Sequence, residues 1–147
     1  MIRKVFISTV PFGEKNSFPI ELLSNSNMEY TINPLGRKLT EDELCEILPE
    51  YDQLIAGTEN LSSKVLKKCK RLKHISRVGI GLDSVDLLTA REMGINVSYT
   101  PDAPAPAVAE LTIGLMLSLL RNIHTSNKKL HEGEWFRYFG KRIPEIT

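Results

Sequence analysis

The residues best suited to chemistry lie in a glycine turn between Arg77 and Asp86, which reads Arg-Val-Gly-Ile-Gly-Leu-Asp-Ser-Val-Asp. Gly79 and Gly81 have no Cβ, so the backbone can turn sharply there and approach a ligand closely. Asp83 is positioned to cap a following helix by accepting hydrogen bonds from its first free amides. The remaining amides would lie at the positive end of the helix dipole and could bind a small carboxylate. The alternative interpretation is an ordinary strand-to-helix turn in which the glycines serve geometry alone.

Other side chains that could do chemistry are few and scattered. We expect the three histidines to be structural or solvated, because His74 begins a buried strand while His124 and His131 lie in a polar helix end and tail. Cys45 and Cys69 lie far apart without a C-x-x-C pair, which predicts buried, reduced thiols and a cytoplasmic location. We therefore assign no catalytic residue and no metal ligand within this sequence.

The overall charge gives no indication of a polyanionic partner. The 147 residues, enough for one domain with its own core, include 19 basic and 18 acidic side chains, for a net charge of +1. The first residues contain no apolar segment long enough for a signal peptide, and the apolar run Leu111–Leu120 is half as long as a membrane span. We therefore expect neither a nucleic acid nor a membrane as a partner.

The glycine turn must be positioned by the elements around it, and the sequence alternates between strand-like and helix-like segments. Because a parallel connection needs about one helix of chain, this alternation predicts an α/β fold with an open, parallel, five-stranded sheet and helices on both faces. The predicted strands are Val5–Ile7, Tyr30–Ile32, Leu54–Ala56, Ile75–Val78 and Ile95–Ser98.

Local signals predict where two of the helices begin and end. Thr40 and Glu43 have the spacing of a capping box, which opens the helix before the third strand. Asp83 is predicted to cap the helix after the glycine turn, with a body from Val85 to Met93 and Gly94 as the residue just after its end.

Ligands of open parallel sheets bind outside the carboxyl ends of the strands. Four loops are therefore predicted to meet at one edge of the sheet, and they comprise residues 8–13, 57–60, 79–83 and 99–106. The last loop contains three prolines, which stiffen it and delay the next helix. That helix is apolar nearly all round from Val108 to Leu120, so we expect protein to enclose it on more than one side. The sheet would cover one side, and a second domain or subunit the other.

Six short motifs follow one another in a fixed order along the second half of the chain. They are the Arg77–Asp86 turn, Gly94-Ile95-Asn96-Val97, Thr100-Pro101, Ala109-Glu110-Leu111-Thr112, Leu120-Arg121 and Gly133-Glu134-Trp135. In this order and spacing they resemble the first portion of the D-isomer-specific 2-hydroxyacid dehydrogenases. The resemblance is dense from about Leu54 to Trp135 and weak before it.

The resemblance implies a particular domain organisation. Residues 1–103 would form a flavodoxin-like substrate-binding domain, and residues 104–130 a long helix that crosses between domains and helps form a homodimer. Residues 131–147 would lead to a nucleotide-binding Rossmann domain, which is absent from this sequence because Gly79-Ile80-Gly81 is followed by Ser84 where a G-x-G-x-x-G motif needs glycine. NAD or NADP would then be bound mainly by the part of the protein beyond residue 147.

The resemblance also implies roles for residues of the glycine turn. The backbone amides of Gly79, Ile80 and Gly81 would hold the carboxylate or carbonyl end of a small carboxylic acid. Val78 and Ile80 would lie near the nicotinamide. These residues would form one wall of a cleft, with the nucleotide-binding domain on its other side.

Two departures from the family pattern bear on the substrate. Gly57-Thr58 stands where phosphoglycerate dehydrogenases often carry Arg-Ser, which removes a guanidinium that could hold a phosphate. Tyr99 stands where many members have Asn, and a tyrosine there is closer to the pattern of the D-lactate dehydrogenases. Packing against the proline loop is the alternative role for this side chain. Both departures argue against a phosphorylated substrate. With Gly79, Ile80 and Gly81, the residues Gly57, Thr58 and Tyr99 make up the substrate site that the resemblance implies.

In the family, the arginine, the histidine and the acidic residue that perform the chemistry lie beyond this portion. We therefore expect the chain to be the substrate-binding half of an NAD(P)-dependent oxidoreductase for a small D-2-hydroxy acid or 2-oxo acid, inactive by itself. The alternative is a stand-alone small-ligand-binding or regulatory module with the same fold, or an interaction role as in the family's corepressors. A receiver domain is disfavoured, because Ala56-Gly57 ends the third strand where a receiver needs aspartate.

Overall fold

The computed structural model describes residues 2–145, which fall into two compact units. The first unit ends at Ala103 and contains the sheet with the helices between its strands. The second unit begins at Pro104 and contains two consecutive helices and the polar segment that follows them.

The first unit is built on a parallel sheet. Its strands are β1 Arg3–Ile7, β2 Met28–Ile32, β3 Gln53–Ala56, β4 His74–Arg77 and β5 Asn96–Tyr99. They are hydrogen-bonded in the order β2-β1-β3-β4-β5, and every neighbouring pair is parallel. This order is the flavodoxin-like one, in which the chain reverses direction across the sheet between β1 and β3. The predicted open α/β fold with five parallel strands is therefore confirmed.

The helices that connect these strands supply the core with apolar side chains. They are α1 Phe18–Ser24, α2 Glu41–Ile47, α3 Ser63–Lys68 and α4 Leu87–Glu92. Because side chains alternate along a strand, Phe6, Leu54 and Ile75 face one side of the sheet and join the core cluster formed with α2, α3 and α4. Val5 and Ile7 face the other side, where they are also buried.

Both cysteines lie in this interior as free thiols, as predicted. Cys69 directly follows α3, and its Sγ donates a hydrogen bond to the carbonyl of Val65 in that helix at 3.2 Å. Burial raises the pKa of Cys69 to about 11, because an apolar environment disfavours the thiolate. Cys45 is buried on α2 and joins the same core cluster.

Two of the predicted helix boundaries are confirmed. The Thr40 Oγ1 accepts a hydrogen bond from the Glu43 amide at 3.3 Å, and the Glu43 carboxylate accepts one from the Thr40 amide at 2.8 Å. Arg37 binds the same carboxylate at 2.6 Å, and these hydrogen bonds, that of Arg37 first, lower the pKa of Glu43 to about 2. Gly94 follows α4 with a φ of +67°, and its amide donates to the Arg91 carbonyl at 3.1 Å.

The predicted start of α4 is wrong. The residue that caps this helix is Asp86, not Asp83, because the Asp86 Oδ1 accepts a hydrogen bond from the Thr89 amide at 2.9 Å. Val85, predicted inside the helix, is 6% exposed and forms a parallel β-bridge with Leu61. Burying a valine is worth about 1.5–3 kcal/mol, which exceeds the few tenths of helix propensity at one position. The positive end of α4 therefore lies beyond the glycine turn and does not create the predicted anion site there.

The second unit consists of α5 Ala105–Leu120, α6 Ile123–His131 and a 3-10 turn at Ile143–Glu145. Asn122 separates the two helices with a φ of +52°. Along α5 no residue is buried, and Leu111 and Leu119 are 62% and 68% exposed. The protein partner that the sequence predicts for this helix therefore stays a prediction.

The apolar composition of α5 also bears on the expectation that the chain does not cross a membrane. Within residues 2–145 no single helix has both the length and the apolar composition of a membrane span. Only α5 and α6 taken together meet both criteria, and they are bent by 62° at the break between them.

Candidate functional site

The loops that follow the parallel strands lie at one edge of the sheet, as their direction requires. Hydrogen bonds join these loops in pairs. The Thr100 amide donates to the Gly79 carbonyl at 3.0 Å, which links the loop after β5 to the loop after β4. The Val78 amide donates to the Ala56 carbonyl at 2.8 Å, which links β4 to the end of β3. The structure thus brings the predicted site residues of three loops to a common edge.

The two glycines of the turn have different backbone roles. Gly79 has a φ of +138°, a value that side-chain-bearing residues rarely adopt, and its amide donates to the Thr100 Oγ1 at 2.9 Å. Gly81 has an ordinary φ, and only the Asp83 carboxylate lies near its missing Cβ, at 3.3 Å. In the hydrogen bonds of residues 2–145, the amides of Ile80 and Gly81 have no acceptor. Two of the three amides named from the sequence are therefore without an acceptor among the described residues.

Arg77 is a candidate site residue that the sequence reasoning did not single out. It is the last residue of β4, and its Nη1 donates to the Val78 carbonyl and occupies the space where a Cβ on Gly79 would lie. Its Nε is fully enclosed and has no acceptor among the described residues. The guanidinium thus lies against Gly79, the residue before the two amides that have no acceptor. The signal that could have identified it is its position, since ligand-binding residues of parallel sheets follow the carboxyl ends of the strands.

The loop after β3 is fixed by a buried carboxylate that the sequence reasoning also missed. Glu59 is 3% exposed, and its Oε2 accepts hydrogen bonds from the Gly57 amide at 2.8 Å and from the Ser8 Oγ at 3.1 Å. A Cβ on Gly57 would lie 3.1 Å from the Thr9 Oγ1 and 3.3 Å from the Glu59 Oε1. Thr58 is exposed between these two buried residues. Nothing in the local sequence indicates that Glu59 is buried, so sequence reasoning could not have identified it.

Apolar side chains form the remaining part of this edge. Val78, Ile80 and Tyr99 are 47%, 58% and 46% exposed. Tyr99 lies opposite Arg77 in the register of β4 and β5, so the phenol ring and the guanidinium come from directly neighbouring positions. The edge therefore offers free amides, one guanidinium and exposed apolar surface side by side, which suits a small acid next to a flat apolar ring.

The histidines lie elsewhere. His74 is the first residue of β4, at the opposite edge of the sheet, and its Nε2 is 2.9 Å from the Ser98 Oγ. His124 and His131 lie on α6, in the second unit. Within residues 2–145 no group of three or more His, Cys, Asp or Glu side chains has a geometry that could hold a metal ion.

A separate groove of about 450 Å³ lies at the opposite edge of the sheet. Its lining includes Arg3, Gln53, His74 and Asn96, which are the first residues of β1, β3, β4 and β5. Ligand sites of open parallel sheets, in contrast, form at the carboxyl ends of the strands. We therefore assign the candidate site to the edge that contains the glycine turn.

Known proteins share much of this sequence and its fold. Residues 11–138 match the catalytic domain of the D-isomer specific 2-hydroxyacid dehydrogenases. The hydroxypyruvate reductase of Thermotoga maritima is 41% identical over 115 residues, which are 78% of this chain and 36% of that protein. The D-3-phosphoglycerate dehydrogenase of Methanocaldococcus jannaschii is 44% identical over 101 residues, which are 67% of this chain and 19% of that protein.

Solved structures give the same result. A Thermus thermophilus protein superposes with a TM-score of 0.81 at 28% identity, over 97% of this chain and 43% of that chain. The NAD+-bound 3-phosphoglycerate dehydrogenase of Entamoeba histolytica superposes with a TM-score of 0.73 at 26% identity, over 82% of this chain and 40% of that chain. The chain thus spans less than half the length of each relative. From its motifs, its strand order and these matches, the chain belongs to the D-isomer specific 2-hydroxyacid dehydrogenase family, within the family's catalytic domain.

Proposed function

We propose that this chain is the substrate-binding half of an NAD(P)-dependent oxidoreductase that acts on a small D-2-hydroxy acid or the corresponding 2-oxo acid. The observation that carries this proposal is the pair of amides without an acceptor at Ile80 and Gly81, next to Gly79, against which the Arg77 guanidinium lies. Backbone amides and a guanidinium are both donors that a carboxylate can accept from. The positive end of α4 does not lie at this turn, so the positive charge near it comes from the Arg77 guanidinium.

The strength of such binding can be bounded from the number of donors. A hydrogen bond to a charged group is worth about 1.5–3 kcal/mol. Two or three of them correspond to a dissociation constant of about 1 mM once the entropy of association is included. Because this affinity is weak, tighter binding of the substrate would need further contacts, which the closed cleft of a complete enzyme could provide.

The loop after β3 favours an unphosphorylated substrate. Position 57 is a buried glycine, so it offers a phosphate no guanidinium, and its amide is already engaged by Glu59. The relatives are named for hydroxypyruvate and for 3-phosphoglycerate. Of these two ligands, we propose that the unphosphorylated one is the better representative of the substrate. Thr58 and Tyr99 are exposed at the same edge and would contact the remainder of the acid.

The residues of the site fit one part of a nicotinamide cofactor. Val78 and Ile80 present exposed apolar side chains beside the free amides, a suitable surface for one face of a nicotinamide ring. The cofactor would supply or accept the hydride. The printed sequence contains no G-x-G-x-x-G motif for its pyrophosphate. We therefore propose that NAD or NADP is held mainly by residues outside this chain, and that the chain by itself does not catalyse the reaction.

The same proposal assigns roles to the two units. Residues 1–103 would bind the substrate, the exposed helix within 104–130 would contact a second copy of the chain, and residues 131–147 would lead to the nucleotide-binding domain. The exposed apolar side chains along α5 support a protein partner on this helix.

The proposal is tested by titrating the 15N-labelled chain with hydroxypyruvate and following the backbone amide resonances. We expect the resonances of Ile80 and Gly81 to shift with a dissociation constant of about 1 mM. Hydroxyacetone, which keeps the carbonyl group but has no carboxylate, should cause no comparable shift. Micromolar affinity without a cofactor would support the stand-alone binding module instead.

Variants identify the contribution of the guanidinium. R77Q should weaken hydroxypyruvate binding about tenfold, the loss of one charge-assisted hydrogen bond. R71Q is the matched control, because Arg71 pairs with Asp52 at 3.2 Å at the opposite edge of the sheet. Equal binding by wild type and R77Q, or oxidation of NADH with hydroxypyruvate by the chain alone, would contradict the proposal.

A further inference from the structure

Buried polar side chains are concentrated at one point of the first unit. Four polar or charged residues are buried among residues 2–145, and three of them, Ser8, Asn33 and Glu59, follow β1, β2 and β3. The Ser8 Oγ donates to the Glu59 Oε2 at 3.1 Å, and the Asn33 Nδ2 lies 3.4 Å from the Ser8 carbonyl oxygen. This network occupies the point between β1 and β3 where the sheet reverses direction, which is where open parallel sheets bind ligands.

The Glu59 carboxylate is held rigidly but without a cation. Its Oε2 accepts hydrogen bonds from the Gly57 amide and the Ser8 hydroxyl. None of the ion pairs in the described part of the chain includes Glu59. Its Oε1 accepts no hydrogen bond from a described residue, and it is absent from the fully enclosed atoms without a partner, so it keeps some contact with solvent. A negative charge therefore lies just below the surface of the loop after β3.

The position of this charge bears directly on what can bind beside the loop. The Oε1 lies 3.3 Å from the point where a Cβ on Gly57 would be, and Thr9 restricts the same space. A side chain at position 57 would therefore require Thr9 and Glu59 to move by a few tenths of an ångström, and the glycine that stands there offers no side-chain donor. The Gly57 amide is also unavailable, because it already donates to Glu59. A second anionic group at this loop would meet a carboxylate and lose its hydration without gaining a hydrogen bond from Gly57.

We propose that Glu59 is a specificity-determining residue that rejects acids carrying a second anionic group at the Gly57–Thr58 end of the cleft. This inference rests on the proposed function, because it assumes that the acid binds at the glycine turn. Glu59 acts through its charge and through its hold on the Gly57 amide, without contacting a monoanionic substrate. A purely structural role, in which Glu59 only ties the loop to β1, is the alternative that the experiment must separate.

The test compares hydroxypyruvate with 3-phosphoglycerate in wild type and in E59Q, by NMR titration of the same chain. The glutamine keeps the size of the side chain and an oxygen acceptor for the Gly57 amide, but removes the charge. We expect the affinity for hydroxypyruvate to change less than about twofold and that for 3-phosphoglycerate to rise about five- to tenfold, since removing a repulsion of about 1 kcal/mol has this effect.

S8A is the matched control. It removes the Ser8 hydrogen bond to Glu59 but keeps the carboxylate, so the ratio of the two affinities should stay as in wild type. If S8A and E59Q change both ligands alike, or if E59Q leaves the ratio unchanged, Glu59 is structural only and the inference is wrong.

The wild-type chain provides a second measurement that does not depend on the folding of E59Q. Because salt screens the repulsion, the preference of wild type for hydroxypyruvate should narrow as the ionic strength rises from about 0.01 M to about 0.5 M. A preference that widens or stays constant overturns the inference. If neither acid shifts the glycine-turn resonances, the proposed function itself fails, whereas binding of both acids with an unchanged ratio removes only the role of Glu59.

Discussion

Substituting alanine for Gly79 should destabilise the first unit, whereas the same substitution at Gly81 should not. Gly79 has a φ of +138°, and a Cβ there would overlap the Arg77 Nη1. Holding an alanine in such a backbone conformation costs about 1–3 kcal/mol, while the reduced freedom of the unfolded chain returns about 0.4–1 kcal/mol. The overlapping atom is the end of a flexible side chain, so it can move at little cost. We therefore expect G79A to lose about 1–2 kcal/mol of unfolding free energy.

G81A is the matched control within the same turn. Gly81 has no positive φ, and the only atom near its missing Cβ is the Asp83 Oδ2 at 3.3 Å, on an exposed side chain that can rotate away. The substitution should therefore leave stability within about 0.5 kcal/mol of wild type or raise it slightly.

Urea unfolding followed by circular dichroism measures both variants. For a unit of this size, a loss of 1 kcal/mol lowers the unfolding temperature by about 4–8 °C, so the difference is large enough to resolve by heating as well. G79A must also displace the guanidinium, so its hydroxypyruvate affinity should fall with that of R77Q. Equal stability of G79A and G81A would refute the conclusion that the two glycines of this turn have different roles.

Three further predictions concern the same unit. D86A should lower the unfolding temperature, because Asp86 caps α4, while D83A should not. Hydrogen bonds from Thr89 lower the pKa of Asp86, so its contribution to the free energy of unfolding should be complete above about pH 4 and lost as the pH falls through the lowered pKa, which acid unfolding can measure. The Cys69 thiol, whose pKa burial raises to about 11, should resist a thiol reagent near pH 8 until urea unfolds the chain, and rapid labelling of the folded chain would contradict its burial. L66A should cost about 2–5 kcal/mol by opening a cavity in the core, whereas L88A, at a side chain that is 76% exposed, should cost less than about 0.5 kcal/mol in the same urea titration.

The strands and several helix ends could be predicted because their signals are local. Thr40 and Glu43 form their capping box within four residues, and Gly94 ends α4 through hydrogen bonds to the turn just before it. The same holds for the five strands, whose alternation with helix-length segments favours a parallel sheet. Predictions of this kind need no knowledge of which distant residues meet.

The start of α4 could not be predicted in this way. Asp83 and Asp86 are both acceptable caps by residue type, and the sequence alone favours the first. The structure selects Asp86 because Val85 is buried against Leu61, which lies more than twenty positions earlier in the chain. A distant contact thus moved the helix start by three residues and removed the predicted dipole from the glycine turn.

The amino-acid sequence by itself determined the fold class, the order of elements and the edge of the sheet at which the glycine turn lies, because periodicity, caps and strand direction are local properties. Only the tertiary structure decided which groups at that edge can act. It joined the Gly79 amide to Thr100, left those of Ile80 and Gly81 free, folded Arg77 beside them and buried Glu59 under the neighbouring loop. The hydrogen bond from Gly79 to Thr100 and that from Ser8 to Glu59 join residues more than twenty positions apart, and no local pattern encodes them.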